Sequence, residues 1–186
     1  GASGRPAMVP GYRAAAYAAH QAHGALPWSR VMQPAIDLAQ EGIEVDELLD
    51  YYIGYREDVL SRRDETWAIF SDADGEPLEQ GDLLVQAELA ATLQAVADQG
   101  AAYMYTGAWA DHFVEAVSQE GGAVSAEDLA GYDAAWMEPL STAYAGHTVV
   151  TMGDRELGSV QIIEALNTAE AVGLAAILHF DGSALR

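Results

Sequence analysis

The sequence contains no cysteine and no lysine, and these two absences restrict both its chemistry and its partners. Without cysteine the chain has no disulfide, no thiolate nucleophile and no thiolate metal ligand. Eight arginines stand against 29 acidic residues, which gives a net charge of −21. Such a surface repels phosphate backbones, so we expect no nucleic-acid partner. The acid excess is typical of a protein from a salt-rich habitat, or simply of an ordinary acidic protein.

Long apolar runs are also missing. No stretch reaches the roughly 18 apolar residues that a transmembrane helix requires, so we expect no membrane span. Residues 1–10 lack the apolar core of a signal peptide, and the chain does not begin with Met. We therefore expect a processed product or a fragment of a longer protein. Its 186 residues, 51% of them hydrophobic, suffice for a packed core, and we expect a single domain fragment over 1–186.

Complete catalytic and cofactor motifs are absent as well. There is no P-loop, no Gly-x-Gly-x-x-Gly, and no Gly-x-Ser-x-Gly around Ser159. His20 and His23 share one helix face, but no third ligand is close in sequence, so packing or exposure is favoured over a metal site. We assign no catalytic residue, no cofactor and no metal to this chain.

Two further acidic motifs suggest chemistry only weakly. Asp72 and Asp74 resemble the start of a calcium loop, but the twelve-residue ligand register is missing, so a solvated turn is favoured. Asp111 and His112 are adjacent on a helix, where neighbouring side chains point in different directions. Neither motif predicts a functional site.

Helical periodicity accounts for most of the chain. Tyr51, Tyr52 and Tyr55 fall on one predicted helix, where packing is favoured over a stacking platform. Ser125 and Asp128 have the spacing of a capping box that opens a short helix. The longer predicted helices span 12–23, from the N-cap residue 29 to 42, 47–63, 86–98, 106–119 and 160–172.

The β signals are few. Residues 134–144 and 147–152 predict two strands joined at Ala145-Gly146, and 67–70 is a short β-like run. The predicted fold class is therefore mostly α with a small β-hairpin portion.

The stretch 148–167 is the most informative part of the sequence. An apolar β-branched run ends at Gly153, a charged turn follows, and an amphipathic helix begins, which leaves backbone N–H groups open at the helix start. Arg155 is the only arginine between Arg63 and Arg186. It is a candidate to bind a substrate carboxylate; the alternative is pairing with nearby acids at positions 154, 156 or 164.

A resemblance to a known family follows from motifs spread in order along almost the whole chain. The residues that carry it are Val9-Pro10-Gly11, His20, His23-Gly24, Leu26-Pro27-Trp28, Pro34-Ala35-Ile36, Leu38-Ala39, Gly42, Gly75, Pro77-Leu78, Gly81-Asp82, Leu89-Ala90, Thr92-Leu93, Gly100, Tyr105, Gly107, Ala110, Gly121-Gly122, Glu127-Asp128-Leu129, Tyr132, Pro139-Leu140, Tyr144, Gly146 and Leu166-Asn167. In this ordered set of motifs, the sequence resembles the large subunit of gamma-glutamyltranspeptidases.

This resemblance implies an Ntn hydrolase with an αββα sandwich, made as one precursor that cuts itself. The cut frees an N-terminal threonine on a separate small subunit. That threonine attacks a γ-glutamyl amide to give an acyl-enzyme, which passes to water or an amino acid. The chain would be the helical middle of the large subunit, its partners being the small subunit and a small acyl-amide substrate. By the same resemblance it would be periplasmic or extracellular, with a cytoplasmic location left open.

The sequence departs from the family at the most informative stretch. Family members commonly read Pro-Pro-Pro-Ser-Ser-Gly-Gly where this chain has residues 153–159, Gly-Asp-Arg-Glu-Leu-Gly-Ser. We predict substrate contacts from Arg155, Gly158 and Ser159 in this loop. A related amidase of the cephalosporin-acylase type is a second hypothesis, and a non-catalytic acidic helical interaction module is a third.

Overall fold

The structure is a computed structural model, and it describes residues 3–173. Contacts within the chain separate it into two compact units, Gly1–Ala134 and Ala135–Arg186. The expectation of a single domain fragment stays a prediction, because two units of this kind can belong to one domain.

The first unit is helical. Its bounds are α1 Tyr12–His23, α2 Trp28–Glu41, α3 Glu47–Leu60, α4 Asp64–Phe70, α5 Ala87–Gln99, α6 Tyr103–Thr106, α7 Ala108–Gln119 and α8 Ala126–Ala130. Two short strands, β1 Ile43–Glu44 and β2 Leu83–Leu84, pair antiparallel between the helices, with Ile43 opposite Leu84. Sequence periodicity did not predict this pair, because two residues are too few to show a strand pattern.

Three apolar clusters form the core of the first unit. One joins α2 and α5 through buried residues such as Ile36 and Val96. A second surrounds Ile53 of α3, which is nearly inaccessible to solvent. A third forms around Leu129 of α8 and the buried ring of Tyr105. Burial of apolar surface in these clusters is the main source of stability.

Helix caps confirm several boundaries read from the sequence. The carboxylate of Asp46 accepts a hydrogen bond from the Leu49 N–H at 2.8 Å and so starts α3. Ser125 and Asp128 form the expected reciprocal capping box of α8. The Ser29 cap was wrong: α2 begins at Trp28, with Pro27 at the N-cap. Pro is well suited to a helix start because it lacks a donor that would be unpaired there.

Two other predicted elements differ from the structure. The β-like run 67–70 lies in α4, whose first turn contains Asp64 and Glu65. Acidic residues stabilise a helix start, and a short apolar run cannot by itself be told from a strand. The helix predicted over 106–119 begins at Ala108 as α7, because Thr106 ends the short helix α6 and the extended backbone of Gly107 separates the two.

The second unit contains a β-hairpin and one helix. Strands β3 Leu140–Tyr144 and β4 His147–Thr151 pair antiparallel, with Thr142 opposite Val149, and α9 spans Leu157–Ala171. The predicted strand from 134 was too long at its start, since β3 begins at Leu140. The mostly helical fold with a small β portion is confirmed. No helix within residues 3–173 has the length and apolar character needed to cross a bilayer.

Candidate functional site

The loop that follows β4 is held in place by contacts between the hairpin and α9. The hydroxyl of Thr142 on β3 hydrogen-bonds the side-chain oxygen of Asn167 on α9. At the hairpin turn, the Ala145 N–H donates to the Glu170 carboxylate at 3.2 Å. These contacts tie the middle of β3 and the hairpin turn to one helix. The intervening loop, residues 152–156, therefore starts and ends on anchored elements.

Arg155 lines a cleft within the second unit. The cleft has a volume of about 410 Å³ and lies between the segment before β3 and the loop after β4. Trp136, Glu138 and Asp154 also line it, and the Trp136 side chain is 67% exposed. The site therefore combines one guanidinium, two carboxyl groups and an aromatic surface. An arginine offers up to five donors to a carboxylate.

Ion pairing does not account for Arg155 in the part of the chain that the structure describes. The acidic residues near Arg155 in the sequence are Asp154, Glu156 and Glu164. Within residues 3–173 no carboxylate oxygen lies within 4.0 Å of a side-chain nitrogen of Arg155, whereas two other arginines do form such pairs. Among the described residues, the guanidinium of Arg155 is therefore exposed without an ion-pair partner.

Gly153 allows the loop to approach the opposite wall of the cleft. A β-carbon added at this position would lie 2.9 Å from the Glu138 carbonyl oxygen and 3.1 Å from Cβ of Met137. Real side chains essentially never come that close to backbone atoms. The packing around the end of β4 therefore favours glycine at position 153.

Gly158 and Ser159 occupy the first turn of α9. Gly158 is exposed and a β-carbon there would meet no atom within 4 Å, whereas Ser159 is 7% exposed. Neither residue lines the Arg155 cleft. The N-cap residue of α9, Glu156, makes no side-chain cap hydrogen bond, although its carbonyl oxygen accepts the Ser159 N–H at 3.0 Å. The substrate contacts of Arg155, Gly158 and Ser159 stay predictions.

The other sequence candidates take structural roles. Nε2 of His20 lies 2.8 Å from the Leu26 carbonyl oxygen, and its ring packs on Trp28. The Asp72 carboxylate accepts the N–H groups of Asp74 and Glu76, as in a simple turn. Across residues 3–173, no three His, Asp or Glu side chains come together as metal ligands.

The predicted packing role of the three tyrosines on α3 is not what the structure shows. Tyr51 stacks on Tyr55 with a centroid distance of 5.9 Å and meets Tyr52 edge to face. All three side chains are more than half exposed. The three rings contact one another on the helix surface, and the Arg56 guanidinium lies 4.9 Å from the Tyr55 ring centroid. The residue that α3 buries is Ile53.

This architecture is similar to part of a class of enzymes whose crystal structures are known. It superposes on the crystal structure of the gamma-glutamyltranspeptidase of Helicobacter pylori with a TM-score of 0.86 and 27% identity, covering 95% of this chain and 50% of that chain. The cephalosporin acylase of Bacillus halodurans gives a TM-score of 0.68 and 29% identity over 78% of this chain and 28% of that chain.

Sequence comparison identifies the family directly. Residues 1–181 match the family model described as Gamma-glutamyltranspeptidase, and the chain belongs to this family. The glutathione hydrolase proenzyme of Escherichia coli K12 is 37% identical over 170 residues, which is 91% of this chain. The chain spans only 28% of the length of that relative.

Proposed function

We propose that this chain is the scaffold portion of the large subunit of a gamma-glutamyltranspeptidase-like enzyme. The enzyme would cleave γ-glutamyl or related acyl amides, such as glutathione, with the N-terminal threonine of a separate small subunit as nucleophile. Family membership supports the class, and the name proenzyme of the E. coli relative supports processing of one precursor. The chain alone would not be catalytic, because no catalytic constellation occurs in its sequence.

In this proposal the threonine hydroxyl attacks the amide carbon, and its own α-amine accepts the hydroxyl proton. The C–N bond then breaks, the amine leaves with that proton, and the acyl group stays on the threonine oxygen. Water or an amino acid next attacks the ester and releases the free enzyme. The role of the present chain is to bind and orient the substrate, which lowers the barrier by positioning.

The charges of the Arg155 cleft are the observation that supports a γ-glutamyl substrate. Such a substrate ends in an α-amino acid group, with one carboxylate and one ammonium. Arg155 complements the carboxylate, and Asp154 and Glu138 on the same cleft complement the ammonium. We therefore propose Arg155 as a substrate-binding residue, with Gly158 and Ser159 at the adjacent helix start.

The first test asks whether the whole gene product is processed. Purified protein is separated on a denaturing gel, and the smaller band is sequenced from its N-terminus. We expect a second polypeptide that begins with threonine, together with turnover of γ-glutamyl-p-nitroanilide. A single unprocessed band without turnover would instead favour a non-catalytic acidic interaction module.

The second test addresses Arg155. In the whole enzyme, Arg155→Gln should raise KM for γ-glutamyl-p-nitroanilide about tenfold with little change in kcat, and Arg155→Lys should recover part of the loss. Arg56→Gln is the matched control, since Arg56 lies on α3 over the Tyr55 ring. An unchanged KM in Arg155→Gln would exclude a role in substrate binding.

A cephalosporin-acylase type of specificity is the second candidate, supported by the structural similarity to the Bacillus halodurans enzyme and by the altered loop 153–159. Glutaryl-p-nitroanilide separates the two, because it lacks only the α-amino group. A higher kcat/KM for the γ-glutamyl compound supports the transpeptidase type, and a higher value for the glutaryl compound supports the acylase type.

We also propose, by family resemblance, that the enzyme acts in the periplasm or outside the cell. Fractionation of the native host tests this proposal. Activity that remains with the spheroplasts rather than in the periplasmic or medium fraction would contradict it.

A further inference from the structure

A second cavity lies in the first unit, apart from the residues of the Arg155 cleft. It has a volume of about 410 Å³ and is bounded by the end of α3, the start of α4, one face of α7 and the segment 3–7. This size is that of a pocket for a small molecule. None of its lining residues takes part in the function proposed above.

The floor of this cavity is apolar. It is formed by Val59 of α3 together with Phe113, Ala116 and Val117 of α7. The Phe113 ring is fixed from behind by stacking on Trp109, with a centroid distance of 5.0 Å. Such a floor favours a ligand with an aliphatic or aromatic part, because binding would remove apolar surface from water.

Two consecutive arginines stand at the rim, in a chain whose net charge is −21. Arg63 is neutralised by Glu120, whose Oε1 lies 2.7 Å from Nη2. Arg62 is held more loosely: its Nε donates to the Asp58 carbonyl at 3.1 Å, and the Asp58 carboxylate is 4.0 Å from Nη2. The terminal N–H groups of Arg62 therefore retain donor capacity for an anion.

The charges around the cavity favour an anion with a single negative charge. Glu120 cancels one of the two arginines, and the strongly acidic chain repels ligands with several negative charges. A single carboxylate, which an arginine can bind in bidentate geometry, fits both conditions better than a polyphosphate or a nucleic acid.

We propose that this cavity binds a small amphipathic monocarboxylate, with the carboxylate on Arg62 and the apolar part on Val59, Phe113 and Ala116. The ligand lies outside the Arg155 cleft, so it is not the acyl substrate proposed above. Binding couples a charge-assisted hydrogen bond to burial of an apolar tail, and both are needed for affinity.

Octanoate is a suitable probe, with octan-1-ol as its uncharged counterpart. Isothermal titration of the whole protein should show one octanoate site, and octan-1-ol should bind at least tenfold more weakly. Arg62→Gln should weaken octanoate binding about tenfold, as expected for loss of a hydrogen bond to a charged group. Arg56→Gln removes the same charge from α3, outside the cavity, and should bind octanoate as the unchanged protein does.

A second variant tests the apolar floor without altering charge. Ala116→Leu fills part of the cavity and should weaken octanoate binding at least fivefold while the circular dichroism spectrum is retained. The proposal is overturned if the unchanged protein does not bind octanoate, if octan-1-ol binds as tightly, or if Arg56→Gln and Arg62→Gln weaken binding equally. Unaltered binding in Ala116→Leu would likewise exclude this cavity as the site.

Discussion

Thr142 on β3 and Asn167 on α9 are joined by a side-chain hydrogen bond across 25 positions of the sequence. Thr142 lies on the same face of β3 as Leu140 and Tyr144, and all three residues are half-buried. The contact joins β3 to α9, and the loop with Arg155 lies between β4 and this helix.

Removal of this hydrogen bond should loosen the second unit. We expect Asn167→Ala to lower the free energy of unfolding by about 0.5–1.5 kcal/mol, the usual net value of one hydrogen bond. Urea unfolding followed by circular dichroism measures the change. In a double-mutant cycle with Thr142→Val, the two losses should not add. Additive losses would show that the two side chains are not coupled.

The hairpin turn offers a stabilising substitution. Ala145 has φ 48° and Gly146 has φ 78°, so both central residues are left-handed, as in a type I′ turn. Alanine is strained in this region, whereas asparagine tolerates it. We expect Ala145→Asn to raise the unfolding free energy by about 0.5–1 kcal/mol in urea titrations. Gly146→Ala is the matched control and should destabilise; a stabilised Gly146→Ala variant would contradict this view of the turn.

The helices could be predicted from the sequence more completely than the candidate site. Caps such as Asp46 and Ser125 act through hydrogen bonds to residues three positions away, and local chemistry of this kind is visible in a sequence. The helix α6 before Gly107 and the helical state of 67–70 were missed, because a run of four to seven residues is too short to show a helical period. The strand pair β1–β2 joins residues about 40 positions apart and leaves no periodic signal.

Arg155 shows how much of the candidate site could be predicted from the sequence. Its isolation among acids made it a candidate, and its place on a cleft agrees with that interpretation. The opposite wall, with Trp136 and Glu138, could not be predicted, because those residues come from an irregular segment with no motif. Conversely, Ser159 looked available at the helix start, but the structure buries it.

The buried phenol of Tyr105 anchors the turn before α1. Its hydroxyl donates to the Pro10 carbonyl and accepts the Ala14 N–H at 3.2 Å, while the ring stacks on Tyr132. Loss of these bonds in Tyr105→Phe should lower the unfolding free energy by about 1–2 kcal/mol. Thermal and urea unfolding at neutral pH measure the loss. Tyr12→Phe changes an exposed phenol and should have no effect.

The same residue predicts a pH dependence. Burial raises the pKa of Tyr105 above 10.0, with a further rise from Tyr132 and an opposing effect from the Ala14 N–H. The folded state holds the phenol proton of Tyr105 more tightly than the unfolded state does. The stability that results is complete below pH 10.0 and is lost as the pH rises through the pKa of Tyr105 in the folded state. In the alkaline range, the free energy of unfolding should therefore fall more steeply with pH for the unchanged protein than for Tyr105→Phe. Equal slopes would contradict the assignment.

The capping box of α8 predicts an effect at acid pH. The Ser125 N–H, 2.9 Å from the Asp128 carboxylate, and then the Ser125 hydroxyl at 2.8 Å lower the pKa of Asp128 below 3.8. The stability that Asp128 contributes is present above its pKa in the unfolded state. It is lost as the pH falls through its lower pKa in the folded state. In Ser125→Ala the backbone bond remains and the hydroxyl bond is lost, so the pKa should rise part of the way back toward 3.8.

Carboxyl carbon shifts followed by NMR during an acid titration measure this pKa directly. Ser125→Thr keeps a hydroxyl in the same place and should leave the Asp128 titration unchanged. Because the lowered pKa favours the folded state above pH 3.8, Ser125→Ala should also lose less stability than the unchanged protein when the pH falls through this range. An Asp128 titration that is identical in Ser125→Ala would show that the hydroxyl bond does not act on the carboxylate.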